Sequence, residues 1–396
     1  MCKMRTFAVI MVFSILLLTA APALAMAESG GGESLSIEAA LELAVKSNPS
    51  YRQASLQAEK TELIKDKAAD AVGGIPEWGM VEPEYKQVID SYHQAMIGYD
   101  AARKALQAQK NTLTKDVISA YTACLREHNN LAYARINLEN TRRQLQISGI
   151  ARTVGLVGDY EFDKADTGLK QVQEGVKAQE AVYESAVASL RALLGKEDGW
   201  TPNLSSRPVI EVYPRQSLAT ELGRAANESI LLLETKANYE IEESKQHWVL
   251  PNQIYGVKEI DLELSSIAYE QARRDSKATV ESLYLAIDAL EAQVEAAQKS
   301  YKMADKDLEV VQLKYELGMA AEYELQSSGS SLASARVACE KARIDLENLQ
   351  SQLAENKAKF AALTGKEAYN AADWTGTEAN AAAAEKQGDG SSASLN

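Results

Sequence analysis

Cysteine and histidine are nearly missing, with three of each scattered through 396 residues. That leaves no material for a disulfide scaffold, and His93, His128 and His247 show no H-x-x-x-H or H-E-x-x-H spacing for a metal. A basic excess is missing as well: 42 Lys and Arg stand against 56 Asp and Glu, a formal charge of −14. A nucleic-acid binder needs a basic stripe to neutralise phosphates, so that class is excluded. No G-x-S-x-G elbow occurs, and Gly73-Gly74 precedes no Lys-Ser/Thr pair that would cradle a phosphate. An enzyme is not expected, and no cofactor or metal is called for. Cys124 and Cys339 fall on apolar seams and read as small packing residues.

Long apolar runs are missing everywhere except at the start. Lys3 and Arg5 precede an apolar stretch from Phe7 to Leu18, broken only by Ser14, and Ala23-Leu24-Ala25 fits a small-residue cleavage site. About a dozen apolar residues fall short of the roughly 20 a transmembrane helix needs, so 1–25 reads as a Sec-type export signal, with an uncleaved anchor as the alternative. Cys2 lies on the wrong side of the run for lipid attachment. Residues 26–34, with Gly30-Gly31-Gly32, read as a flexible leader.

Proline is scarce and its placement is informative. None of the eight lies between Pro83 and Pro202, and none follows Pro251. Because proline breaks helix interiors, these Ala/Leu/Gln/Glu/Lys-rich stretches are where long helices persist. Each carries one glycine turn, Gly155 and Gly318. The expected fold is all-α: two long antiparallel helical hairpins, 35–201 and 217–367, joined by a Pro-rich linker at 202–216 and followed by a disordered tail at 368–396. Asn48-Pro49 opens a helix to about Ala71, Pro83 opens one of roughly 70 residues to about Val154, and Glu161 to Leu194 returns. An apolar seam steps alternately by three and four through Leu283, Ile287, Leu290, Val294, Ala297, Tyr301, Ala304, Leu308, Val311 and Tyr315, which is coiled-coil spacing. A returning seam runs Cys339, Ala342, Leu346, Leu349, Leu353, Phe360 and Leu363, broken at Asn356.

The two halves repeat one another. Val117-x-Ser119-x-Tyr121 recurs as Val280-x-Ser282-x-Tyr284, and Gly155-Leu156-x-x-x-Tyr160-Glu161 recurs at the same offset as Gly318-Met319-x-x-x-Tyr323-Glu324. Leu193-x-Gly195-Lys196-Glu197 recurs as Leu363-x-Gly365-Lys366-Glu367, one heptad beyond that offset, a slip that keeps the seam facing its partner. Upstream, Glu42-Leu43 to Asn48-x-Ser50 pairs with Glu221-Leu222 to Asn227-x-Ser229 at an offset of 179. Duplication on this scale marks a pseudo-repeated architecture.

In order and spacing, the opening Ser36-Ile37-Glu38-Ala39-Ala40-Leu41 to Asn48-Pro49, the turn Val154-Gly155-Leu156-Val157 with Glu161 after it, and Leu193-Leu194-Gly195 resemble the TolC-like outer-membrane efflux protein family. The resemblance spans roughly Leu35 to Glu367. It implies a homotrimer whose six hairpins curl into a coiled-coil α-barrel, an export duct docked to a periplasmic adaptor and an inner-membrane pump. It places the protein in the cell envelope, at an outer membrane by analogy. One departure is plain: the family inserts a β-hairpin between the first and second helices of each repeat. Such a hairpin needs about 20 or more residues. The gaps here, Val72 to Glu82 and His247 to Val257, hold eleven each and contain glycine and proline breakers. The membrane strands are therefore missing or vestigial, leaving loops marked by Trp78, Met80, Trp248 and Tyr255 that either cap the tube end or touch a membrane peripherally.

The resemblance also assigns residues. Val154, Gly155, Leu156, Val157, Leu317, Gly318 and Met319 would form the adaptor-docking tip, although glycine alone is explained by a helix connection needing positive φ. Asp159, Glu161, Glu322 and Glu324 would line the lumen as gate carboxylates, although acidic residues suit any helix N-terminus. The family's second gate carboxylate would fall at Ser327, which is not acidic. A structural coiled-coil spacer or adhesion rod of the envelope, without conduction, remains the competing reading.

Overall fold

The computed structural model describes residues 34–75, 83–209, 215–246, 255–323 and 331–375. The expected export signal at 1–25, Trp78, Met80, Trp248, Glu324 and Ser327 lie outside these residues. Eight α-helices are present among the described residues: α1 Ile37–Ser47, α2 Pro49–Gly73, α3 Pro83–Thr153, α4 Asp159–Leu194, α5 Leu218–Glu228, α6 Leu233–Gln246, α7 Tyr255–Glu316 and α8 Leu332–Leu363. One parallel pair of two-residue strands, β1 Ser34–Leu35 and β2 Asn203–Leu204, completes the elements with two short 3-10 turns.

The helix boundaries follow from capping. The Ser36 hydroxyl accepts the Ala39 N–H to open α1, and Asn48 closes α1 while its side chain accepts the Tyr51 N–H at 3.0 Å to open α2. Pro49 occupies the first turn of α2, where its missing N–H costs nothing. The 71-residue α3 runs about 105 Å at 1.5 Å per residue. Against it lie α2 and α4, of 25 and 36 residues, meeting end to end where the Ser47 hydroxyl reaches the Leu193 carbonyl. In the second repeat α6 and α8 pack in the same way on α7.

The repeats correspond down to single contacts. Gly195 ends α4 with φ 63° and lies against Ser47, while Gly365 follows α8 with φ 71° and lies against Glu228. The N-caps Ser36 and Asn48 match Ser217 and Ser229 at one shared offset, two longer than the offset of 179 expected from the sequence. The caps correct that value: Glu42-Leu43 and Glu221-Leu222 are an accidental match, and buried Ala40 and Ala44 correspond to buried Glu221 and Ala225. Glu221 is fully buried and accepts from the Lys366 ammonium at 2.6 Å.

The core lies where α1, α5 and the linker cross the long helices. It gathers Ile37, Ala40, Val117, Tyr121, Leu190, Ala225, Ile287, Leu353, Phe360 and Trp374. Tyr121 stands at its centre; its hydroxyl donates to the Leu35 carbonyl at 2.9 Å and accepts the Ser206 N–H at 3.0 Å. Burial pushes this phenol up to about 12. The expected seam of α7 is buried or half-buried from Leu283 to Val311, and opens at Tyr315. Helix α8 is buried on more than one side towards its end, through Ala354, Ala358, Ala361 and Ala362, because it packs on both α7 and α3. Cys124 and Cys339 are free and buried, and burial raises both thiols.

The contact of α3 with α8 and the residues just after it carries polar pairs beside its apolar packing. Asn111 donates to the Lys366 carbonyl at 3.1 Å, Arg126 pairs with Glu355 at 3.1 Å, Asn129 donates to Glu347 at 2.9 Å and Asn348 donates to Asn130 at 3.0 Å.

Three expected boundaries need correction. Ser34 is already paired with Asn203, so the leader ends before it, and the linker contributes β2 and the buried Ser206 to the core. Residues 368–375 are packed where a disordered tail was expected: Trp374 is 2% exposed and meets the Tyr121 ring edge-on at 5.8 Å. An Ala-rich composition hid one large aromatic that had a slot to fill.

Candidate functional site

The α3–α8 pairs fix an antiparallel register, in which residue 111 lies by 366 and residue 130 by 348. The start of α8 therefore lies near the end of α3, and the two glycine turns fall at the same end of the bundle. Both are built alike. Gly155 N–H bonds the Arg152 carbonyl at 3.0 Å and Leu156 N–H the Ala151 carbonyl at 2.9 Å; Gly318 and Met319 repeat this on Tyr315 and Lys314 at 3.0 and 2.7 Å. These are Schellman closures, which need a left-handed residue, and φ is 74° at Gly155 and 71° at Gly318. Nothing lies within 4 Å of a Cβ added at either glycine, so backbone conformation alone requires it there.

The turns carry apolar side chains into solvent. Leu156 is 73% and Met319 74% exposed; Val154 and Leu317 are also exposed, while Val157 is half-buried. Ile150, Tyr160 and Leu313 extend the same surfaces; the sequence marked Tyr160 only as part of the repeated turn motif and did not single out Ile150 or Leu313, though each is a large apolar residue about one turn from a glycine. Asp159 pairs with Arg152 at 2.7 Å, and the Arg152 guanidinium lies 4.9 Å from the centre of the Phe162 ring. Glu161 and Glu322 are exposed and begin no cluster with it: each projects from its own turn. The Glu322 carbonyl accepts the Ala333 N–H at 3.0 Å, so the second turn folds back to cap α8. Among the described residues no three His, Cys, Asp or Glu side chains are grouped to hold a metal ion.

At the opposite end only nine residues separate α2 from α3, and eight separate α6 from α7. Gln246 donates to the Lys258 carbonyl at 2.8 Å and Lys258 to the Lys245 carbonyl at 2.9 Å, tying α6 to α7 beside the second gap. Tyr255 is exposed at the start of α7. No helix among the described residues is long and apolar enough to cross a membrane.

The two long edges of the layer form a further surface. Helix α2 packs only on α3, and α7 lies at the other side. Leu56, Leu63 and Ile64 are exposed on α2, and Val257, Ile260, Leu264 and Ile267 on α7, the latter stepping by three, four and three. That spacing is a coiled-coil seam left exposed among the described residues, and it was readable in the sequence.

No protein-family signature and no curated sequence matches the chain. Solved structures do. The outer membrane protein VceC of Vibrio cholerae is similar over 84% of this chain and 97% of its own, at 13% identity and a TM-score of 0.56. The outer membrane channel CmeC of Campylobacter jejuni is similar over 91% and 94%, at 13% identity and 0.54. The outer-membrane channel OprN is similar over 84% and 91%, at 15% identity and 0.59. The resemblance to TolC-like proteins thus holds for the architecture: this chain has the all-helical fold of the outer-membrane channels, and only nine and eight residues of sequence separate α2 from α3 and α6 from α7.

Proposed function

We propose that the chain is one protomer of a trimeric, passive export duct, docked through its glycine turns to a periplasmic adaptor that serves an inner-membrane pump. The observation that carries this reading is the pair of apolar edges. A helical layer with Leu56 and Leu63 on one side and the Val257 to Ile267 stripe on the other buries both only by meeting further copies head to tail. Such contacts close into a ring, and the polar faces then line a lumen. The exposed turns would form its tip, with Leu156 and Met319 as adaptor contacts. Asp159, Glu161 and Glu322, together with Glu324, would bias the entrance toward cations.

The small number of residues between α2 and α3 and between α6 and α7 favours a second reading, an envelope spacer that keeps the hairpins without conducting. Electron microscopy of the purified mature protein distinguishes the two. A closed threefold ring with a central channel supports the duct; monomeric or bundled rods with no channel reject it.

A further inference from the structure

Residues 369–375 cross from the end of the second repeat onto the first. The Tyr369 hydroxyl donates to Glu38 of α1, Trp374 covers Tyr121 of α3, and the linker is held on both sides: Val209 N–H bonds the Asp373 carbonyl at 2.9 Å and Thr375 N–H the Arg207 carbonyl at 2.8 Å. Beneath this segment lies Lys357 of α8, only 4% exposed. The corresponding position in the first repeat, in the register that matches Gly195 with Gly365, is Val187, also buried. Its surroundings differ in the same sense. Asp288 and Glu291 of α7 stand where α3 has Leu125 and His128, and both pair with Arg215 of the linker, whose guanidinium lies 4.6 Å from the centre of the Tyr284 ring. One repeat thus fills this place with apolar packing and the other with ions. Buried ions are a poor source of stability and are better suited to switching.

We propose that residues 369–375 are a releasable strap across the two repeats, and that the Lys357 ammonium buried beneath them sets how readily the strap opens. The groups facing Lys357 are Asp373 of the strap, Glu291 of α7 and Arg215 of the linker; those facing Asp373 include Lys357 and Tyr369. Burial outweighs the two carboxylates and pushes Lys357 down to about 8. A lysine lowered in the closed state binds fewer protons there than when exposed. The strap therefore tightens as pH rises from about 8 toward 10, above which Tyr369 of the strap, raised by burial and by Glu38, opposes it; below about 8 the closed strap carries the full burden of the buried ammonium. Asp373 is raised, mainly by burial, so the closed strap holds its proton and tightens again in acid. The strap is loosest between the two.

Hydrogen-exchange protection of the strap amides in the full mature chain, corrected for the intrinsic effect of pH, tests this. Protection at Asp373, Trp374 and Thr375 should rise at least tenfold between about pH 7 and 9.5. In Lys357→Met it should be flat and at least as high as the wild type's alkaline level, with helicity unchanged. Lys357→Val, which copies the first repeat, gives the same readout should the methionine variant fold poorly. A flat wild-type profile, a pH rise that survives in either variant, or looser straps in both variants would each overturn the proposal. The wild-type profile decides alone if neither variant folds.

Discussion

At Gly195 an added methyl group would lie 2.8 Å from the Ser47 Cβ, whereas at Gly155 it would meet nothing within 4 Å. Both residues have positive φ, so alanine at Gly155 costs the left-handed conformation alone, roughly 1–2 kcal/mol. Gly195→Ala should cost more, and Ser47→Gly should recover part of the difference; urea-unfolding midpoints of the three variants check this. Equal losses at Gly155 and Gly195 would contradict the crowding. The turns make a second residue-scale prediction. Replacing Leu156 and Met319 by Asp removes apolar contact without touching a buried side chain, so helix content and particle mass should persist while crosslinking to the adaptor is lost. Unimpaired crosslinking would leave both residues with no docking role. The glycines and their flanks were legible in the sequence because turn chemistry is local. Glu221 was not: its burial depends on Lys366, 145 residues away, and a carboxylate at helical spacing reads as solvated until its partner is placed.

Among the elements, the long helices were readable because proline exclusion, caps and three-four apolar steps agree with one another. The strap was missed for the opposite reason: seven residues with no period, whose order comes from Trp374 packing on Tyr121 of α3 and bridging to Pro208 of the linker. The free stripe on α7 yields the prediction proper to this scale. Leu264 is exposed on a seam that stays open among the described residues, so Leu264→Asp should spare the fold and reduce a trimer to monomers in light scattering. A mutant that still elutes at trimer mass would show that the edges do not hold the ring.

For the whole molecule, the decisive lengths are nine and eight residues. Two strands of about 9–11 residues each are longer than either stretch of sequence, so no pair of membrane strands is expected from them. An alkaline carbonate wash should release the signal-cleaved protein from membranes as a peripheral species. Retention in the pellet would mean that it is embedded by another route. The α3–α8 contact bears on length in a different way. An apolar coiled-coil seam is forgiving, since sliding one helix by a heptad returns similar side chains to similar holes. The pairs joining Asn111, Arg126, Asn129 and Asn130 to the Lys366 carbonyl, Glu355, Glu347 and Asn348 are less forgiving, because each joins one particular residue of α3 to one particular residue across from it. They act as a vernier that reads the two helices against a single scale. A heptad gained between 347 and 366 would set the marks on one side of it against those on the other, whereas the same heptad beyond the last mark, toward the turns, would leave them all in step.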